Sequence, residues 1–175
     1  MKDGRVNKAL KNGRKETDQT QLQLSMKLFK SREAVKSEEN GDYRVQPDTA
    51  RYFTEKHNNP WIALEAAAEY TNWGVVKLDG DAVDLHRTTV SLKTKEELEE
   101  ALEAVLHASK KLTVNPHAAD QIDIDVIEKS LHECVDAITA LTHYVAVVCK
   151  EYKIPWIKLW TQHKVKLIQR RLIKK

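Results

Sequence analysis

Residues 123–152 read Asp123-IDVIEKSLHECVDAITALTHYVAVVCKE-Tyr152, and the spacing of their apolar side chains decides the fold class. Ile127, Leu131, Cys134, Val135, Ile138, Leu141, Val145 and Val148 recur at helical steps, the 3.6-residue period of one helix face. A single long helix follows. Glu133 and Asp136 stand within this apolar stretch, three residues apart and therefore one turn apart on its shoulder. Polar side chains that interrupt such a surface need partners, which lysines or a metal ion can supply.

Working upstream, Thr94 with Glu97 three residues later forms a capping-box signature. The helix it predicts carries Leu98, Ala101, Leu102, Val105 and Leu106 on one face and ends before Val114-Asn115-Pro116. At about 100° per residue, Glu97 and Glu100 fall on the shoulder of that face. Two carboxylate pairs on facing helices, E-E-x-x-E at Glu96–Glu100 and E-x-x-D at Glu133–Asp136, suit a hard cation such as Mg2+. Taken alone, the first run better suits a solvated helix start near a favourable N-terminus, with Glu97 completing the cap.

Downstream, Pro155 marks a new start, and Trp156–Ile173 reads as a basic amphipathic helix. Pro47-Asp48 opens another helix that breaks at Asn58-Asn59-Pro60 and resumes through Trp61–Tyr70. The Asp79-Gly80 turn between Val75-Val76 and Val83 predicts a small β-hairpin near residues 75–86. Residues 1–45 are polar and weakly periodic, with one apolar island at Leu22–Phe29. They read as a basic arm, flexible or ordered only against a partner. The expected architecture is therefore an all-α antiparallel helical bundle over residues 46–175 with that arm in front.

Composition agrees. The 175 residues are 41% hydrophobic and 31% charged, with five glycines and four prolines, too few for a turn-rich sheet fold. No apolar run approaches the roughly 18 residues of a membrane span and no signal-peptide core opens the chain, so a cytoplasmic location is expected. Charge is uneven: Met1–Lys36 holds ten Lys/Arg against four acids, and Lys150–Lys175 holds nine against Glu151. Basic ends on an acidic centre suit nucleic acid at the ends, or cationic arms over a phosphate-binding acidic site. Cys134 and Cys149 are roughly 22 Å apart along one helix at about 1.5 Å per residue, beyond disulfide reach.

Glu96–Val105 and Glu133–Asp136 with its following Ala-Ile-Thr-Ala-Leu resemble the two signature helices of the MazG-like, all-α nucleotide pyrophosphohydrolases. Tyr152–Trp160 is similar to the link that leads into that family's cationic helix. The likeness spans about residues 94–173. It implies Mg2+, or Mn2+, held by Glu97, Glu100, Glu133 and Asp136, with Glu96 either supporting these ligands or acting as the candidate base. It further implies that Trp160, Lys164, Lys166 and Arg170 face a nucleoside triphosphate, which is converted to the monophosphate and pyrophosphate. A homo-oligomer is implied in the same way. The sequence departs from the family in its 32-residue span between Glu100 and Glu133 and in Cys134-Val135.

The rival expectation is a non-enzymatic module that binds nucleic acid or a protein through its basic N- and C-terminal segments. His132 and His143, near the second acid pair, bring in a transition metal as a minor alternative.

Overall fold

The computed structural model describes residues 4–174, so residues 1–3 of the expected arm and Lys175 lie outside the described residues. Within them the chain is all-helical, with no strand and no helix long and apolar enough to cross a membrane. The helices are α1 (Arg5–Glu16), α2 (Gln21–Leu28), α3 (Arg32–Asn40), α4 (Pro47–Lys56), α5 (Pro60–Thr71), α6 (Arg87–Ser109), α7 (Gln121–Glu151) and α8 (Trp156–Gln169). A single 3-10 turn, Lys111–Thr113, follows α6. The chain divides into two units: the residues up to Lys77 with those from Val148 onward, and Leu78–Val147.

In the first unit, α1 to α5 share one core of Val6, Leu10, Leu24, Val35, Val45, Phe53 and Ile62, all buried. Each helix contributes only one or two of these, because each is short. Gly13 lets α1 lie close to α5: a Cβ there would stand 2.9 Å from Ile62 Cδ1. Pro47 and Pro60 each occupy the first helical turn, where a missing N–H costs nothing. Asn59 caps α5, accepting from the Trp61 and Ile62 amides at 3.1 and 3.3 Å. Its neighbour Asn58 donates to the Cys149 and Ile154 carbonyls and accepts from the Trp156 amide at 2.7 Å, which fixes the start of α8. The segment expected as an arm thus holds three helices, and they supply four of these seven core side chains, Val6, Leu10, Leu24 and Val35.

The second unit is a helix pair. Thr94 Oγ1 donates to the Ala140 carbonyl at 3.2 Å, and Lys111 meets Asp123 at 2.6 Å toward the other end, so α6 and α7 run in opposite directions. Helix α6 starts at Arg87, capped by His86, which accepts from the Thr88 amide. Thr94 is accordingly a buried mid-helix residue and not the expected cap; its hydroxyl is used by the Val90 and Ala140 carbonyls. The buried positions are Val90, Thr94, Ala101 and Ala108 on α6 and Ser130, Ala137, His143, Ala146 and Val147 on α7. The expected inner face is only partly inside, since Leu98, Leu102, Val105, Leu131 and Ile138 are exposed. The Asp79-Gly80 turn forms, with Val83 donating to Gly80, but no strands flank it, so the expected hairpin near residues 75–86 is absent. Both cysteines are free thiols, and burial pushes the Cys149 thiol up.

Candidate functional site

In the first unit the informative arrangement is α2, a three-residue link and α3. Thr20 caps α2 through a capping box: it accepts from the Gln23 amide at 3.1 Å, and Gln23 Oε1 accepts from the Thr20 amide at 2.8 Å. The helix stops because Phe29 takes the left-handed conformation (φ 53°), and Lys30 N–H closes back on the Ser25 carbonyl at 2.9 Å. Ser31 then caps α3, accepting from the Ala34 amide at 3.0 Å. Two short helices joined by Phe29, Lys30 and Ser31 form a helix-turn-helix.

The inner side of α3 is pinned by buried charge. Glu39 accepts from Arg14 Nε and Nη2, and from Gln21 Nε2 at 2.8 Å, which joins α1, α2 and α3 at one carboxylate. The Glu39 hydrogen bond holds the Arg14 guanidinium above its ordinary value, against the opposing effect of burial. Glu38, also buried, takes Lys30 Nζ at 2.5 Å and Thr49 Oγ1 at 3.0 Å, and so ties α3 to α4. Val35 fills the core between them.

The outer side of α3 is entirely polar. Arg32, Lys36 and Asn40 lie at four-residue steps along it, with Glu33 beside them, and all four are exposed. Lys15, Thr20, Gln21 and Arg32 line one cleft at the mouth of α2. Lys27 is exposed on α2. The arrangement presents a rigid polar helix face bordered by cations and by the N–H end of a second helix.

In the second unit, one carboxylate oxygen each from Glu97, Glu133 and Asp136 lie within 4.8 Å of one another. Glu97 is half-buried and carries an ion pair to Lys93 at 2.9 Å; Lys93 also reaches Glu96 at 3.2 Å. The Glu97 hydrogen bond, then that of Glu96, raises the Lys93 pKa, so this lysine stays charged beside the cluster. Three carboxylates form a hard-oxygen set, and opposite ligands of Mg2+ are about 4.2 Å apart, those of Ca2+ about 4.8 Å. The donor set is one that could hold a hard divalent cation.

Glu100 is not in this group. It is exposed, one turn past Glu97 on the same side of α6, and lines a groove with Glu103, His107, Lys129 and Glu133. Glu96 is exposed and occupied by Lys93. Trp160, Lys164, Lys166 and Arg170 are exposed residues of α8 and its C-cap, in the first unit, whereas the acids belong to the second. Trp160 packs edge-on against Trp156, centroids 5.6 Å apart. His143 is a buried structural histidine: Nε2 accepts from the Leu78 amide at 2.9 Å, and Nδ1 donates to the Thr139 carbonyl at 2.8 Å. His132 is exposed beside Glu128.

The helix-turn-helix is the feature that sequence reasoning missed. Its signals were present: Thr20 and Ser31 as paired caps eleven residues apart, Gln23 completing the first, and Gly41 ending α3 with φ 78°. Compared with known proteins, the chain matches no family model, no curated protein and no solved structure.

Proposed function

We propose that the first unit reads duplex DNA, with α3 in the major groove and α2 across the phosphate backbone. The observation that carries this reading is the α2–turn–α3 pair, with α3 anchored from behind by Val35, Glu38 and Glu39 and showing Arg32, Lys36 and Asn40 outward. A major groove about 12 Å wide admits one helix of about 10–12 Å diameter, and the first residues of a recognition helix meet the base edges. Arginine suits guanine O6 and N7, asparagine suits adenine N6 and N7, and glutamate accepts from cytosine N4. Lys15, Lys27 and the amides at the start of α2 suit phosphate oxygens. The ten cations against four acids of Met1–Lys36 support the same polyanionic partner.

Selection from a random duplex pool tests it directly. One enriched sequence motif is expected, with an affinity that falls steeply as salt rises. Recovery of no motif, with single strands held as tightly as duplex, would sink the reading.

A second reading is favoured by a separate observation, the Glu97–Glu133–Asp136 group. It is the MazG-like one: a divalent-metal-dependent pyrophosphohydrolase acting on a nucleoside triphosphate. Glu97, Glu133 and Asp136 would hold Mg2+ or Mn2+, which supplies charge neutralisation at phosphate and a lowered pKa for water. Glu100, one turn along the same side, is then available to a second cation, and Glu96 to the attacking water. Pyrophosphate release from a panel of nucleoside triphosphates with Mg2+ tests it; no release from any of them removes it.

A further inference from the structure

The helix pair of the second unit has two unlike flanks. With Thr94, Ala101, Ala108, Ser130 and Ala137 turned inward, helical phase sends Glu97, Glu100, Glu133 and Asp136 to one side. It sends the large apolar side chains to the other. Leu102 and Leu106 on α6 and Leu131, Val135 and Ile138 on α7 are each 54–61% exposed. Leu98, Leu102, Leu141 and Tyr144 line a shallow, mostly apolar groove along that flank.

Soluble monomers rarely expose a continuous apolar patch beyond about 300–600 Å². From their exposures, the large apolar residues of this flank leave on the order of 900 Å² open, about what each partner of a standard interface buries. Exposed singly, such leucines need no explanation; gathered on one side of two adjacent helices, they do.

We propose that this flank is the interface of a twofold homodimer, in which two α6–α7 pairs pack into an antiparallel four-helix arrangement. A twofold interface uses the same patch on both copies, and a flat two-helix flank is a surface that can pack on itself. The charges at its edge fit that occupant. Lys95 and Glu99 on α6, paired at 3.6 Å, put both signs on one border. A rotated second copy meets such a border with opposite charges, whereas an anionic membrane surface would call for a uniformly basic one. The small residues turned inward between α6 and α7 explain why the leucines are left over: alanine, serine and threonine fill the space between the two helices without them.

On the DNA-binding reading, the dimer carries two recognition helices and the preferred duplex is an inverted repeat. That consequence rests on the proposed function; the dimer itself does not.

Sedimentation equilibrium of the full-length chain without DNA tests the dimer. The expected mass is twice 20.1 kDa at micromolar concentration. Leu102→Glu combined with Ile138→Glu is expected to halve that mass with the far-UV circular dichroism unchanged. Leu172→Glu, equally exposed but in the other unit, should leave the dimer intact. A 20.1 kDa species at tens of micromolar overturns the proposal, as does a double variant that remains dimeric. A monomer that sediments with vesicles of anionic phospholipid overturns it in favour of a membrane surface. Because the mass is read without DNA, its failure leaves the DNA reading untouched, and the absence of a selected motif leaves the dimer untouched.

Discussion

Arg14, in the last turn of α1, grips the fully buried carboxylate of Glu39, in the last turn of α3, with two guanidinium nitrogens. A second chain element uses the same carboxylate, since Gln21 at the start of α2 donates to it. One acid thus ties three helices together, and the placement of the outer polar face of α3 depends on it.

Glu39→Gln keeps the shape but removes the charge, leaving Arg14 partly buried without its partner. Breaking a buried pair from one side costs about 3–5 kcal/mol. Urea denaturation followed by circular dichroism should give a midpoint lowered accordingly, with the slope unchanged. Arg14→Lys should lose most of the same stability, because an ammonium cannot make the two-pronged contact. An unshifted midpoint in both variants would show that the pair is decorative.

The fold was legible where one helix carries enough pattern by itself. The long run of Ile127 to Val148 forecast α7 within two residues at either end, and Pro47, Pro60 and Pro155 marked three helix starts. Residues 5–40 were not legible, because α1 and α3 each bury only one or two apolar side chains, and periodicity needs more. Their stability comes from a core that four other segments complete, together with buried ion pairs that no periodicity shows. Thr94 misled for the opposite reason: its spacing to Glu97 is a genuine capping pattern, but seven preceding residues already sustain the helix. At the acidic cluster, helical phase was enough to bring Glu97, Glu133 and Asp136 together.

At Gly13, α1 packs tightly against α5. A Cβ there would lie 2.9 Å from Ile62 Cδ1 and 3.1 Å from Asn59 Nδ2, which belongs to the residue that caps α5. Alanine is worth about 1 kcal/mol over glycine in a helix interior, yet overpacking a buried contact costs about 1–3 kcal/mol. Gly13→Ala should therefore lower the melting temperature by a few degrees, and Gly13→Val should do so more strongly. A raised melting temperature for Gly13→Ala would mean that Ile62 yields freely.

His57 gives a pH dependence. Burial, with a smaller contribution from Lys27, holds its pKa below the ordinary 6.5. The unfolded chain then takes up the proton first, so stability falls as pH drops below about 6.5 toward the folded value. His57→Gln should flatten that part of the stability–pH curve while leaving the alkaline side alone. Urea midpoints of both proteins between pH 7.5 and about 5 measure the difference; parallel curves would count against it.

At the acidic cluster, Glu133→Gln replaces one of three carboxylates by a neutral amide oxygen and should weaken Mn2+ binding about tenfold by isothermal titration, a loss of about 1.4 kcal/mol. Lys93→Ala should tighten binding, because the lysine competes with the cation for Glu97. If Lys93→Ala has no effect and the parent protein binds no Mn2+, the carboxylates serve only as the lysine's partners and the hydrolase reading fails with them.

The DNA reading makes a sharper demand, because Arg32 and Lys27 stand in different places. Arg32 opens α3 at the end that meets base edges, whereas Lys27 lies near the end of α2, the helix set against the backbone. Arg32→Ala should cost about 1–3 kcal/mol on the selected duplex and relax preference at one base position. Lys27→Ala should weaken all duplexes nearly equally and lower the slope of log affinity against log salt by about one. Phe29→Gly separates the two from the turn itself: glycine removes a left-handed penalty of about 1–2 kcal/mol and should raise stability without altering the motif. Fluorescence anisotropy on the selected and a scrambled duplex, across a salt series, distinguishes these outcomes. Equal losses for Arg32→Ala and Lys27→Ala on both duplexes would place α3 on the backbone and not in the groove.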